Sequence, residues 1–160
     1  MKKIYFVIML ISMSSQLVGQ SNNQLNEMII ESLRSYLNYS SELQKKVCSN
    51  CEKHNTYICN DGLPADFPCD SMQNVTFLSL HNWNGLSKSL QKELKKGISA
   101  CFVWLKLTDR QLVISIGGRS VKLIKKNNLG ISVGDWGIFT YEYSCEKQKW
   151  LLVNTEYGGI

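Results

Sequence analysis

Gly137-Ile138-Phe139-Thr140-Tyr141-Glu142-Tyr143-Ser144-Cys145 alternates along its length, with Phe139, Tyr141, Tyr143 and Cys145 on one side and Thr140, Glu142 and Ser144 on the other. Successive side chains of a strand point to opposite faces, so this stretch reads as a strand with one face buried and one largely wet. Its surroundings read the same way. Residues 99–107, 111–116, 120–125 and 149–154 are rich in β-branched and aromatic residues. Turn signals separate them at Thr108-Asp109-Arg110, Gly117-Gly118-Arg119, residues 127–134 and Glu146-Lys147-Gln148. Connections this short imply antiparallel neighbours.

Upstream the period changes. From Gln24 to Val47 the apolar positions Leu25, Met28, Ile29, Leu33, Tyr36, Leu37, Leu43 and Val47 recur mostly at steps of three and four, with no proline or glycine between them. That is one apolar stripe on a helix. Asn22 or Asn23 suits its start, and Lys45 and Lys46 suit the negative end of its dipole. A second, short helix is expected from Ser87 to Lys96, where Leu86, Leu90 and Leu94 repeat at steps of four before Gly97 stops the run. Residues 75–80 read as a further strand, followed by a turn at Asn82-Trp83-Asn84-Gly85, and a short strand is expected at 56–59. Together these elements predict an α+β fold: a long N-terminal helix and a short second helix packed on an antiparallel sheet of about five to six strands.

Residues 48–73 form a cysteine-rich loop that also contains both prolines, Pro64 and Pro68. The six cysteines, Cys48, Cys51, Cys59, Cys69, Cys101 and Cys145, are all candidates for disulfides. The expected pairing joins Cys101 to Cys145, both on core-facing strand positions, and leaves the other four to close the loop among themselves. Cys48-Ser49-Asn50-Cys51 has redox-motif spacing, but it follows the C-terminal end of a helix, where the dipole disfavours a thiolate. A metal site at the cluster, with His54 beside it, is the alternative, although the spacing does not match a paired zinc ribbon.

The compartment follows from the N-terminus. Lys2 and Lys3 precede a nearly unbroken apolar run from Ile4 to Met13, then polar Ser14, Ser15 and Gln16, then small Gly19. This is the layout of a signal peptide over residues 1–19. A run of about ten apolar residues is short of the roughly twenty that span a bilayer, so no membrane span is expected after cleavage. The remainder, residues 20–160, has the size of a single domain, secreted or periplasmic and held by disulfides. Net charge over the whole chain is +5, two of those charges being Lys2 and Lys3, and nucleic acid is not an expected partner.

The order of a long helix followed by an antiparallel meander resembles the cystatin-like and NTF2-like α+β architecture. The Gly62-Leu63-Pro64 segment and the aromatic stretch Asp135-Trp136-Gly137-Ile138-Phe139-Thr140-Tyr141 also resemble small secreted Gram-negative bacterial proteins of unknown function. Neither resemblance implies an activity. The Gln-x-Val-x-Gly hairpin of cystatin-like inhibitors is missing.

No catalytic or cofactor-binding residue stands out. His54 and His81 are the only histidines, no Gly-x-Ser-x-Gly elbow is present, and Asp61 with Asp66 or Glu142 with Asp135 are the acid pairs that could be imagined. Lys88, Lys92, Lys95 and Lys96 give the short helix a basic face, joined in sequence by Lys125 and Lys126. Trp83, Trp136 and Tyr157 lie in or beside glycine-containing turns, where exposed rings suit sugar stacking or partner recognition. The expectation is a binding domain for a small ligand, glycan or protein. The rivals are a secreted enzyme with a pocket between helix and sheet, and metal binding at the cysteine cluster.

Overall fold

The strand-rich half of the chain builds one six-stranded sheet in the order β2-β1-β3-β4-β5-β6. The strands are β1 (Thr56–Cys59), β2 (Val75–Leu78), β3 (Ile98–Leu107), β4 (Gln111–Lys125), β5 (Asn128–Ser144) and β6 (Lys149–Gly158), and the helices are α1 (Lys2–Val47) and α2 (Lys88–Lys96). The computed structural model describes residues 2–48, 55–82, 85–125 and 128–159, with the backbone alone for residues 2–22 and Lys125. The α-helical backbone of α1 thus continues upstream of Gln24.

The sheet is mixed, not antiparallel. Strands β3 to β6 form the expected antiparallel meander, but β1 runs parallel to both β2 and β3. Parallel neighbours need a crossover that returns the chain to its starting end. The cysteine-rich loop does this between β1 and β2, and α2 does it between β2 and β3. The short-connection rule holds only where the connections are short.

The two crossovers lie on opposite faces. Phe67 and Met72 from the first crossover join Met28, Ile29, Leu33 and Tyr36 of α1 in one buried cluster with Ile58, Val103, Ile114 and Phe139. On the other face, Leu94 of α2 packs with Tyr57, Leu78, Ala100 and Val121. Helix α2 begins at Ser87, whose side chain accepts from the Leu90 N–H at 3.3 Å, and ends at Gly97, whose positive φ of 106° is one that L side chains rarely adopt.

Hydroxyl groups fix α1 over β5 and β6. Tyr141 and Ser32 share a buried hydrogen bond of 2.9 Å, and Ser35 meets the Tyr157 hydroxyl at 2.6 Å. Tyr36 donates to Asp135 Oδ1 at 2.9 Å.

Two expected turns are strand. Gly117-Gly118-Arg119 lies inside β4, and most of residues 127–134 belong to β5. The glycines mark a close approach of backbones instead of a reversal. The register passes from Gly117 opposite Trp136 to Arg119 opposite Val133, so Gly134 and Asp135 together stand against Gly118. This is a β-bulge on β5. A Cβ on Gly118 would fall 2.5 Å from the Tyr36 hydroxyl, and one on Gly134 would fall 2.7 Å from the Gly118 carbonyl oxygen.

Candidate functional site

The face of the sheet that carries α2 is only half covered, and the bulge shapes the bare half. One extra residue in β5 reverses which side chains point to which face. Phe139 and Tyr141 pack toward α1, whereas Leu129, beyond the bulge, packs toward α2. Asp135 therefore turns to α1 while its neighbour Trp136 turns to the bare face.

There a shallow cleft of about 240 Å³ is lined by Trp104, Ser115, Gly117, Arg119, Val133 and Trp136, among others. Trp104 is 45% exposed and Trp136 38% exposed. Each indole covers a glycine on an adjacent strand. A Cβ on Gly117 would lie 3.2 Å from Trp104 Cζ3, and one on Gly158 would run into the Trp136 indole. The glycines let both rings lie down on the sheet with a face left open. Arg119 is stacked in the same place, its Cζ 5.0 Å from the Trp104 ring centroid and 5.8 Å from that of Phe102. Its Nε is buried and has no hydrogen-bond partner among the described residues.

Beneath the bulge, on the α1 side, the buried side chains of Tyr36 and Cys101 meet half-buried Asp135. Asp135 Oδ2 is buried without a partner among the described residues, although Oδ1 accepts from Tyr36. Burial, and after it the charge of Asp135, pushes the Cys101 thiol up to about 12. Burial likewise raises the Tyr36 hydroxyl above the ordinary phenol range. A thiol so placed stays protonated at neutral pH and is a poor nucleophile.

The sequence-derived candidates are scattered. Cys48 follows the end of α1, where its backbone N–H donates to the Gln44 carbonyl at 2.8 Å. Cys51, His54 and Trp83 lie outside the described residues, as do the side chains of Lys125 and Lys126. Cys59, Cys69, Cys101 and Cys145 are free thiols. The expected Cys101–Cys145 bridge is corrected by the register. Cys101 pairs with Gly118 beside the bulge, while Cys145 follows the far end of β5. At about 3.3 Å per residue that separation is roughly 30 Å, against the ~7 Å that a bridge tolerates. A Cys59–Cys69 bridge fails for another reason: the two pack into clusters on opposite faces of the sheet.

His81 is exposed and offers only its backbone N–H, at 3.0 Å, to Asp61. Asp61 also accepts from Ser79 Oγ at 2.6 Å, the Leu80 N–H at 3.0 Å and Cys59 Sγ at 3.3 Å, which ties the end of β1 to the end of β2. Burial pushes the Asp61 carboxyl up, but these hydrogen bonds outweigh it and hold the group below its usual value. Asp135 and Glu142 point to opposite faces and make no pair; Glu142 accepts from Gln111 at 2.8 Å. Asp66 is exposed, and Lys88, Lys92, Lys95 and Lys96 are all exposed on α2. Tyr157 lies on the α1 side, stacked on Tyr39 at 4.4 Å. Among the described residues, no group of three His, Cys, Asp or Glu side chains is placed to hold a metal ion, and no helix is long and apolar enough to cross a membrane.

Of the candidate residues singled out in the sequence, Trp136 and Asp135 line the cleft, Asp135 with its carboxylate turned to the α1 side. Trp104 and Arg119 were not among the sequence candidates. The available signal for Trp104 was its place between Phe102 and Lys106 on one face of β3, a large ring beside a charged residue. Arg119 was hidden by the reading of its glycine pair as a turn.

No protein-family model matches the chain, and neither the curated proteins nor the solved structures contain a significant match to it.

Proposed function

We propose that this chain is an exported binding module whose ligand lies against the bare half of the α2-bearing face, between Trp104 and Trp136. The observation that carries the proposal is a pair of half-exposed indoles beside a stacked arginine whose Nε has no hydrogen-bond partner among the described residues. Apolar clefts with a few polar groups converging on them are the usual form of a ligand site. Two half-exposed rings on one face make an apolar patch of the kind that marks interaction surfaces. Export, with removal of residues 1–19, is supported by the charged start, the apolar run and the small residue that ends it. The described side chains of α1 that join the core begin at Leu25, downstream of that segment.

Protein recovered from the periplasm or medium of a bacterial host should have an intact mass that begins near Gln20. A panel of small molecules, saccharides and peptides should contain ligands that raise its Tm, and Trp104→Ala should abolish the rise. Retention of residues 1–19 refutes export. Stabilisation that survives Trp104→Ala refutes the placement of the site.

A further inference from the structure

Building on the binding site proposed above, we infer that the cleft takes an extended chain of pyranose rings bearing carboxylates, a uronic-acid oligosaccharide. Three features of the face lead there.

The first is the spacing of the rings. Gly117, Trp136 and Gly158 form one cross-strand row over β4, β5 and β6. The Trp104 ring lies over the first glycine and the Trp136 ring over the last. Neighbouring strands are about 4.8 Å apart, so the two platforms are separated by roughly 9–10 Å along the row. That is about the length of a disaccharide unit in an extended pyranose chain. A sugar ring offers a C–H-rich face to an indole, so two rings of one chain can rest on the two platforms together.

The second is charge. Arg119 is the basic residue of the cleft, and no carboxylate pairs with it among the described residues. Its guanidinium is already positioned beside the Trp104 and Phe102 rings, its Cζ 5.0 Å and 5.8 Å from their centroids. A planar carboxylate satisfies a guanidinium edge bidentately, which a hydroxyl cannot do. The acids on the same face are engaged elsewhere: Glu156 accepts from Asn154 at 2.8 Å and Glu142 from Gln111 at 2.8 Å.

The third is the texture of the neighbouring rows. Trp104, Ser115, Ile138 and Glu156 follow one another across the sheet, as do Lys106, Val113, Thr140 and Asn154. Apolar positions are interleaved with hydroxyl, amide and, at the two ends, charged groups (Glu156 and Lys106), a mixed surface that suits the hydroxyl-bearing edge and apolar face of a sugar. An interface with a second copy of the chain would be more uniformly apolar at its centre.

The test is calorimetric titration with oligogalacturonates of two, four and six units, with cello-oligosaccharides of the same lengths as neutral comparators. Tryptophan fluorescence serves as a second readout, and circular dichroism confirms that each variant is folded. The tetramer and hexamer should bind at least tenfold tighter than the dimer, because only they span both platforms with a ring to spare. Trp104→Ala and Trp136→Ala should each weaken tetramer binding about tenfold. Arg119→Gln should bring the acidic tetramer down to the affinity of the neutral one. Absence of binding at millimolar oligogalacturonate overturns the ligand class; if another ligand still stabilises the protein through Trp104, the site itself stands. Equal binding of acidic and neutral chains also overturns it. A wild-type dimer in sedimentation that Trp104→Ala dissociates would mean that a second copy occupies the face, and would overturn both the ligand class and the site.

Discussion

Gly118→Ala should destabilise the domain by forcing apart a hydrogen bond that it does not itself make. A Cβ at this position falls 2.5 Å from the Tyr36 hydroxyl and closer still to Asp135 Oδ1. Those two atoms are bonded to each other at 2.9 Å, so neither can yield without weakening the bond. Overpacking costs about 1–3 kcal/mol, and losing a hydrogen bond to a charged acceptor about 1.5–3 kcal/mol. We expect the single substitution to cost about 3 kcal/mol. Tyr36→Phe should cost about 2–3 kcal/mol, because Asp135 Oδ2 already lacks a partner among the described residues and Oδ1 would then lose its own. In the double variant the methyl group enters space vacated by the hydroxyl, and no bond remains to be broken. The total should therefore be about 3–4 kcal/mol, a coupling of about 2 kcal/mol. Urea unfolding of all four proteins measures this, provided that the m-value is the same in each. Additivity within about 0.5 kcal/mol would refute the claim that Gly118 is required by the Tyr36–Asp135 contact.

Asp61 supplies an acid-dependent part of the stability. Its carboxyl is held below its unfolded value, so its contribution is present above the unfolded value near pH 4 and is lost as the pH falls through the lower folded value. Asp61→Asn should lower the urea midpoint at pH 7 by the equivalent of about 1 kcal/mol, solvent screening keeping it small. It should also flatten the fall in midpoint below pH 4, and an unchanged acid limb would refute the role. The free thiols should divide into two classes. At pH 8, iodoacetamide should label exposed Cys145 quickly, while Cys59 and Cys101, both buried and both with raised thiol values, react only after denaturant is added. Labelling of Cys101 at the rate of Cys145 would refute the burial of that thiol.

The parts of this fold that the sequence reveals are those ruled by period and by capping. The three-and-four spacing from Leu25 to Val47 and the alternation from Phe139 to Tyr143 give α1 and the core of β5, because burial of one face demands those periods. Ser87 and Gly97 mark the ends of α2 through the backbone groups that they satisfy. What escapes the sequence is the purpose of glycine. The pair Gly117-Gly118 has the composition of a turn, yet what it answers is a tyrosine some eighty positions upstream and a bulge on the next strand, both non-local facts. The parallel placement of β1 escapes for a related reason. It depends on which way a long loop returns, and neither propensity nor alternation within four residues encodes that. Arg119 and Trp104 become a site only once those non-local choices are made, so they could be named as residues but not assembled.

The bulge also explains why the core and the cleft are not independent. Asp135 and Trp136 are consecutive on β5 and point to opposite faces, the first bonded to Tyr36 of α1 and the second over Gly158 in the cleft. Gly118 and Gly117 repeat the arrangement on β4, one beneath Tyr36 and one beneath Trp104. In a strand the directions of adjacent side chains are set by one backbone, so fixing Asp135 on one face fixes the root of Trp136 on the other. A half-buried carboxylate with one buried, unpartnered oxygen is a poor device for stability alone, since an apolar residue of similar size would avoid the desolvation cost. It becomes intelligible as a pin. The hydrogen bond from Tyr36 holds the extra residue of the bulge in one orientation. The bulge in turn determines that Trp136 and Val133 both face the cleft despite standing an odd number of positions apart. A strand without the bulge would send one of them into the α1 core and leave Arg119 stacked beside half a site.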